Sequence, residues 1–204
     1  MNIQNHLFFI IITQVFTLYG LGSSAPDSDI PTVVRTPWHY SFQYLGLTWH
    51  PDGGDLPEVY PLKFDPKAYL VLSIGAAGNV DYSLSRLFFL RLTATCYKDC
   101  AFLWAGAVHL GPRIQYTHGK NGFNLGIGPI LSFRRDWHRF EKFVDDDFYG
   151  DRVYKGWQYR LYGTALELEY LRRINKSTEL QWSLIPGAPL VVTFMVGVRL
   201  TITG

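Results

Sequence analysis

The sequence predicts an all-β fold, an eight-stranded antiparallel up-and-down transmembrane β-barrel with a polar, side-chain-filled lumen. Three observations carry that reading. The stretch "GFNLGIGPILSFRRDW", residues 122–137, alternates with a period of two. Phe123, Leu125, Ile127, Pro129, Leu131 and Phe133 share one face, while Asn124, Gly126, Gly128, Ser132, Arg134 and Asp136 share the other. Such alternation marks a half-buried strand. Second, Lys63, Lys67, Lys98, Lys120, Lys142, Lys155 and Lys176 all fall in predicted links or at a strand's first residue. A soluble antiparallel sheet normally decorates its wet face with Lys, Glu and Thr. Third, the less apolar face is built from small residues, among them Ser73, Gly75, Ala77, Ala105, Ala107, Gly111 and Gly197. Small side chains suit the crowded inside of a narrow closed sheet. The oily rows are therefore expected to point outward, to lipid.

The elements follow in order. "LFFIIITQVFTLYGLG", residues 7–22, is an apolar run followed by the small residues "GSSA" and reads as a signal peptide spanning 1–24. Pro26 disfavours a cut directly after Ala25. An uncleaved anchor is the alternative. Residues 25–38 are expected to form an N-terminal periplasmic segment, and 39–204 the barrel.

Eight extended segments are expected at 39–50, 68–78, 82–96, 101–113, 123–136, 158–171, 178–185 and 190–203. The links 51–67, 97–100, 137–157 and 186–189 lie at one end, and 79–81, 114–122 and 172–177 at the other. Both long links thus share one rim, as outer-membrane barrels arrange them. Past the signal no apolar run is long enough for a membrane helix. Trp49, Trp137, Trp157, Tyr159 and Tyr170 at strand ends suit interfacial girdles.

Composition agrees. There are 14 Phe, 13 Tyr, 6 Trp and 19 Gly, and charged residues make up 18%, below the roughly 25% of soluble domains. The balance of 19 basic to 17 acidic residues excludes a nucleic-acid partner recruited by bulk charge. Cys96 and Cys100 are close enough for a disulfide in an exported chain. No cofactor is expected.

With "FMVGVRLTITG" alternating as a final barrel strand does, residues 39–204 resemble in pattern the small outer-membrane barrels of Gram-negative bacteria. That class includes adhesin-like barrels and lipid A acyltransferases and deacylases. The resemblance implies residence in the bacterial outer membrane, with outer-membrane lipid, lipopolysaccharide and an envelope protein as the partners to test.

Candidate sites divide into four groups. Arg91, His109, Arg113, Glu167, Glu169, Glu179 and Arg199 should face the lumen as a salt-bridged plug, because enclosed charges must be paired. Arg135 and Arg160 on the lipid face, with Arg139 and Lys142 just beyond, are candidates to hold lipopolysaccharide phosphates. Asp145, Asp146, Asp147 and Asp151 could collect a divalent cation, though a solvated acidic loop is the simpler reading. For catalysis the candidates are Ser132, Asp136 and His138 as an acyl-ester triad, or His109 with Glu167 as half of a dyad. The deacylase class carries a His and Ser close together on a strand in the terminal half, and no H-x-S occurs there.

The function expected is a non-enzymatic outer-membrane barrel contacting lipopolysaccharide or a partner through loops 51–67 and 137–157. The alternatives are a lipid A-modifying hydrolase or acyltransferase and a secreted, lipocalin-like ligand-binding barrel.

Overall fold

A computed structural model describes residues 38–54, 56–144, 149, 153–187 and 191–201. The expected signal peptide, most of the segment 25–38, and the acidic residues Asp145, Asp146, Asp147 and Asp151 lie outside them.

Among the described residues nine strands form: β1 Trp38–Trp49, β2 Leu70–Ser83, β3 Phe88–Lys98, β4 Trp104–His118, β5 Asn121–Arg135, β6 Val153–Tyr154, β7 Trp157–Arg173, β8 Thr178–Gly187 and β9 Val191–Thr201. β6 is a two-residue rung on β7. The other eight pair antiparallel with their neighbours. β1 bonds to β9, and β5 bonds to β7, so the sheet closes on itself. Closure removes the free edges an open sheet would leave.

The alternation read from the sequence resolves into an outside and an inside. Phe123 (51% exposed), Ile127 (49%) and Leu131 (41%) look out, whereas Asn124 is 3% exposed and faces the lumen. Leu90, Leu92, Leu110, Phe194, Val196 and Leu200 continue the outward belt on other strands. The buried residues inside are mostly polar, including Gln43, Asn79, Thr93, Gln181 and Ser183. They bond to one another between nearby strands: Gln43 Nε2 donates to Ser183 Oγ at 2.7 Å, and Asn79 Nδ2 to Ser41 Oγ at 2.8 Å.

Two links and the cysteine pair differ from expectation. The β2–β3 link is 84–87 rather than 79–81. Asn79 and Asp81 resemble turn formers, but they are inward polar residues bonded to their register partners on the adjacent strands, Ser41 and Arg91. The β4–β5 link shrinks from 114–122 to Gly119 and Lys120, with Gly119 at φ 60°. A positive φ at the first position suits a two-residue hairpin. The cysteines are not bridged: Cys96 is exposed and Cys100 half-buried, both as free thiols. Cys96 shares the outward parity of Leu90 and Leu92, whereas Cys100 packs inward against the cluster around Tyr60. The two sulfurs therefore leave the sheet on opposite sides.

At the long-loop end the links fold over the barrel mouth. Tyr60, Ala68, Val71 and Trp137 are buried together there, with Phe140 and Phe143 packed on them. Asp65 fixes the first link by accepting from the backbone N–H groups of Leu70 (3.0 Å), Tyr69 (3.1 Å) and Lys67 (3.0 Å). Those donors, Leu70 foremost, hold its carboxyl below the usual carboxylate range. Trp137, expected in an aromatic girdle, is instead 4% exposed beneath this cap. The chain turns over the mouth directly after β5 and carries the indole inward.

Candidate functional site

Adjacent strands bring ionisable side chains into one layer near the short-turn end. Arg91 on β3 is the hub. Its Nε lies 2.6 Å from Asp81 Oδ1 and its Nη2 donates to Asp81 Oδ2 at 2.9 Å. Its Nη1 lies 3.1 Å from Glu167 Oε1 and also meets Glu169. Arg113 on β4 pairs with Glu167. Arg199 on β9 reaches Asp81 at 2.9 Å and Glu179 at 3.4 Å. Asn124 and Gln181 donate to Glu169 at 2.6 and 2.7 Å. Phe89 lies between the Arg91 and Arg199 guanidiniums, its ring centre 5.4 and 5.3 Å from them.

Every residue of the expected plug lies in this layer, Glu179 half-buried at its edge. Asp81 is the member that the sequence reading missed, having been assigned to a turn. Its signal was its parity: it continues the inward row Ser73, Gly75, Ala77, Asn79. Backbone space matters as much as charge. A β-carbon on Gly126 would fall 1.8 Å from Arg113 Nη1, so only glycine lets the guanidinium lie flat over β5 on its way to Glu167.

The His109–Glu167 dyad does not form. Arg113 Nη2 lies 3.1 Å from His109 Nδ1, while Glu167 is 3.8 Å away. A guanidinium only donates, so Nδ1 must accept from it and carries no proton to offer Glu167.

Above the ionic layer the lumen is not filled. A cavity of about 450 Å³ extends from His109 and Glu167 to the aromatic cap, where Tyr60, Trp137 and Phe143 line it. Side chains fill the lumen at its short-turn end and line it above. Arginine and glutamate fill the short-turn half, but Ala105, Ala107, Thr93 and Thr95 line the other half and are too short to meet across it. Hydroxyls on Thr48, Ser73, Ser132 and Thr193 also face the space.

Gln158, fully buried on β7, ties the cap to the wall. Its Oε1 accepts from Arg134 Nε at 2.8 Å and from Trp137 N at 3.2 Å, and its Nε2 lies 3.0 Å from His138 Nε2. His138 Nδ1 lies 3.5 Å from Asp136 Oδ1. Both ring nitrogens are thus engaged, and Ser132 lines the cavity wall instead of meeting this imidazole. The Ser132–Asp136–His138 triad is not assembled. Trp137 Nε1 donates to Asp99 Oδ2 at 2.8 Å, locking the third link to the cap.

The rim cations separate. Arg135 is exposed on the outer face, its guanidinium 5.0 Å from the Trp157 ring centre. Arg139 and Lys142 line a shallow groove of about 530 Å³ with Leu56 and Phe140. Arg160, expected on the lipid face, pairs in register with Ser132 and so shares the inner face at the mouth. A bulge is the reason. Gly128 pairs with Ala165 but Ile130 with Tyr162, so Gly163 and Thr164 oppose Pro129 and the parity of β7 reverses.

No family model and no curated protein matches the chain. Solved structures resembling it include Ail, the attachment invasion locus protein of Yersinia pestis, determined in complex with the heparin analogue sucrose octasulfate. The identity is 10%, 82% of this chain and 100% of that one are covered, and the TM-score is 0.47. Neisserial surface protein A is similar at 11% identity, covering 82% and 98%, with a TM-score of 0.44. A de novo designed transmembrane β-barrel is similar at 8% identity, covering 82% and 98%, with a TM-score of 0.45.

Proposed function

We propose that this protein is an integral barrel of the bacterial outer membrane that contacts lipopolysaccharide through its long-loop rim and has no enzymatic role. The observation that carries the reading is the inversion of polarity. An apolar belt covers the outside of a closed ring, and the buried interior holds three arginines (Arg91, Arg113, Arg199) against three carboxylates (Asp81, Glu167, Glu169). A soluble barrel needs the opposite arrangement. In a bilayer, closure satisfies the backbone and the outward Phe, Leu and Val rows meet acyl chains.

With the long links outside the cell, Arg135, Arg139 and Lys142 stand at the level of lipid headgroups, beside Trp157 and Phe140. Guanidinium forks onto phosphate oxygens supply charge and geometry together. Arg113 occupies Nδ1 of His109, and Gln158 and Asp136 meet the two ring nitrogens of His138, which supports a reading without acyl-ester chemistry.

The test has two stages. The barrel should migrate faster on gels without boiling and remain with membranes after carbonate extraction. Purified protein should bind lipopolysaccharide vesicles, and the triple variant R135A/R139A/K142A should lose most of that binding while keeping its heat-modifiable migration. Unchanged binding by the variant contradicts the headgroup contact, and carbonate release contradicts the membrane setting.

A further inference from the structure

The short-turn end of the barrel carries charge of one sign. Residues 82–88, 116–123 and 170–180 make the three short turns and their flanking strand ends. They hold Arg86, Lys120, Arg172, Arg173 and Lys176 against one carboxylate, Glu179. Glu179 is already committed, to Arg173 at 3.6 Å and to Arg199 at 3.4 Å. Lys120, Arg172 and Lys176 are exposed and have no carboxylate partner among the described residues. The exposed acids among those residues, Asp52, Glu58 and Glu141, lie in the long links at the other rim.

The register sets these cations beneath an aromatic row on the outer wall. His118, Asn121, Arg172 and Leu180 form one rung across β4, β5, β7 and β8. Tyr116, Phe123, Tyr170 and Trp182 form the next rung on the same face. The Tyr170 ring centre lies 5.2 Å from that of Phe123 and 5.4 Å from that of Trp182. Asn121 ties the two rungs together, its Oδ1 accepting from Tyr170 OH at 2.8 Å and from Arg172 Nη1 at 2.6 Å. That bond orients the guanidinium and uses one of its five N–H groups. Lys120 is held beside it, its carbonyl accepting from Arg173 N at 2.8 Å. Stacked rings toward the apolar belt and cations just beyond them are the layering of a bilayer interface. The turns themselves suit that level, since Leu84, Leu87 and Ile174 are 64%, 55% and 55% exposed.

We infer that this outer wall binds an anionic phospholipid of the periplasmic leaflet. The Arg172 guanidinium forks onto the headgroup phosphate, Lys120 and Lys176 add charge, and an acyl chain lies along Phe123, Tyr170 and Trp182. A net anionic headgroup fits because three cations stand uncompensated. A lipid fits better than a soluble polyanion because the stacked rings continue from the guanidinium into the apolar belt. The placement rests on the bilayer setting proposed above, and the site is at the opposite end of the barrel from Arg135, Arg139 and Lys142.

The experiment uses the full chain refolded into phosphatidylcholine vesicles and isolated by flotation. The vesicles carry stepped fractions of brominated phosphatidylglycerol or, in a parallel series, brominated phosphatidylcholine. The readout is the quenching of Trp182, taken as the difference between each protein and the same protein carrying Trp182→Phe. The native chain should favour phosphatidylglycerol by about fivefold, the effect of one well-placed cation at a charged headgroup. The triple variant K120Q/R172Q/K176Q should favour neither lipid, and K120Q/K176Q, which keeps the Arg172–Asn121 bond, should fall between. The rim variant R135A/R139A/K142A should keep the full preference. All are first checked for heat-modifiable migration, and either short-turn variant that folds is sufficient. Equal quenching of the native chain by the two lipids, an undiminished preference in a folded short-turn variant, or its loss in the rim variant overturns the site. Protein that does not float with the vesicles overturns the membrane setting instead, a failure read before any fluorescence.

Discussion

Asp81 and Arg91 face each other across the β2–β3 ladder as register partners, joined by two hydrogen bonds of 2.6 and 2.9 Å inside the lumen. The pair anchors the ionic layer, because Arg91 also holds Glu167 and Glu169. A buried ion pair adds little net stability over a well-packed apolar substitute, but removing one partner strands the others.

Arg91→Leu should therefore destabilise the barrel by about 3–5 kcal/mol, since it leaves three carboxylates facing one another without their shared cation. Urea unfolding in vesicles, followed by loss of heat-modifiable migration, measures it. Arg86→Leu, in the exposed link beside β3, is the control and should change little.

Gly126→Ala should act on the same layer from the backbone. The new methyl collides with the Arg113 guanidinium and pushes it off Glu167. The expected cost is about 1–3 kcal/mol, the range of overpacking in a tight interior. Gly78→Ala, where a β-carbon would meet nothing within 4 Å, should leave the urea midpoint in place.

The alternation of β5 was legible because each residue from Phe123 to Phe133 keeps its parity in the folded sheet, and the ionic plug followed from the inward rows. Asp81 was misread because Gly78 and Asn79 look like a turn, and only the register of β2 against β1 distinguishes a turn asparagine from one bonded to Ser41. Arg160 was assigned to the wrong face because the bulge at Gly163 and Thr164 reverses parity without changing composition. Leu161 and Leu166, both on the outer face at odd and even positions, carried that signal. The cavity was not legible, since it depends on Ala105, Ala107 and Thr193 meeting at one level from strands far apart in sequence. The same holds for the cap, where Tyr60 and Trp137 come from different links.

Trp137→Ala should loosen the cap without opening the barrel. The indole packs edge-on to Phe143 with ring centres 4.7 Å apart and donates to Asp99. Truncating such an aromatic costs about 3–5 kcal/mol locally. Limited proteolysis should then cut links 50–69 and 136–156 at much lower protease doses, while the strands stay protected. Trp137→Phe, which keeps packing and loses the hydrogen bond, should fall between the two.

The cap should also respond to pH. Burial holds the Asp99 carboxyl above its ordinary value of 3.8. Between that value and the raised one, the folded cap keeps a proton that the unfolded cap has released. Its stability therefore falls as pH rises through that window and is level on either side. Protease sensitivity of link 136–156, followed across the acid range, should rise through the window in the native protein. In Asp99→Asn the rise should be absent.

The most direct measurement is a spin-label scan of positions 123–134 in a background where Cys96 and Cys100 are replaced by serine, with the protein in lipid vesicles. Labels at 123, 125, 127, 131 and 133 should be reached by molecular oxygen dissolved in the acyl chains, and those at 130 and 132, which line the lumenal cavity, should be shielded from it. Uniform accessibility to a water-soluble relaxation agent, or oxygen access at 130 and 132 in place of 131 and 133, would contradict the outward setting of the apolar face and with it the membrane barrel.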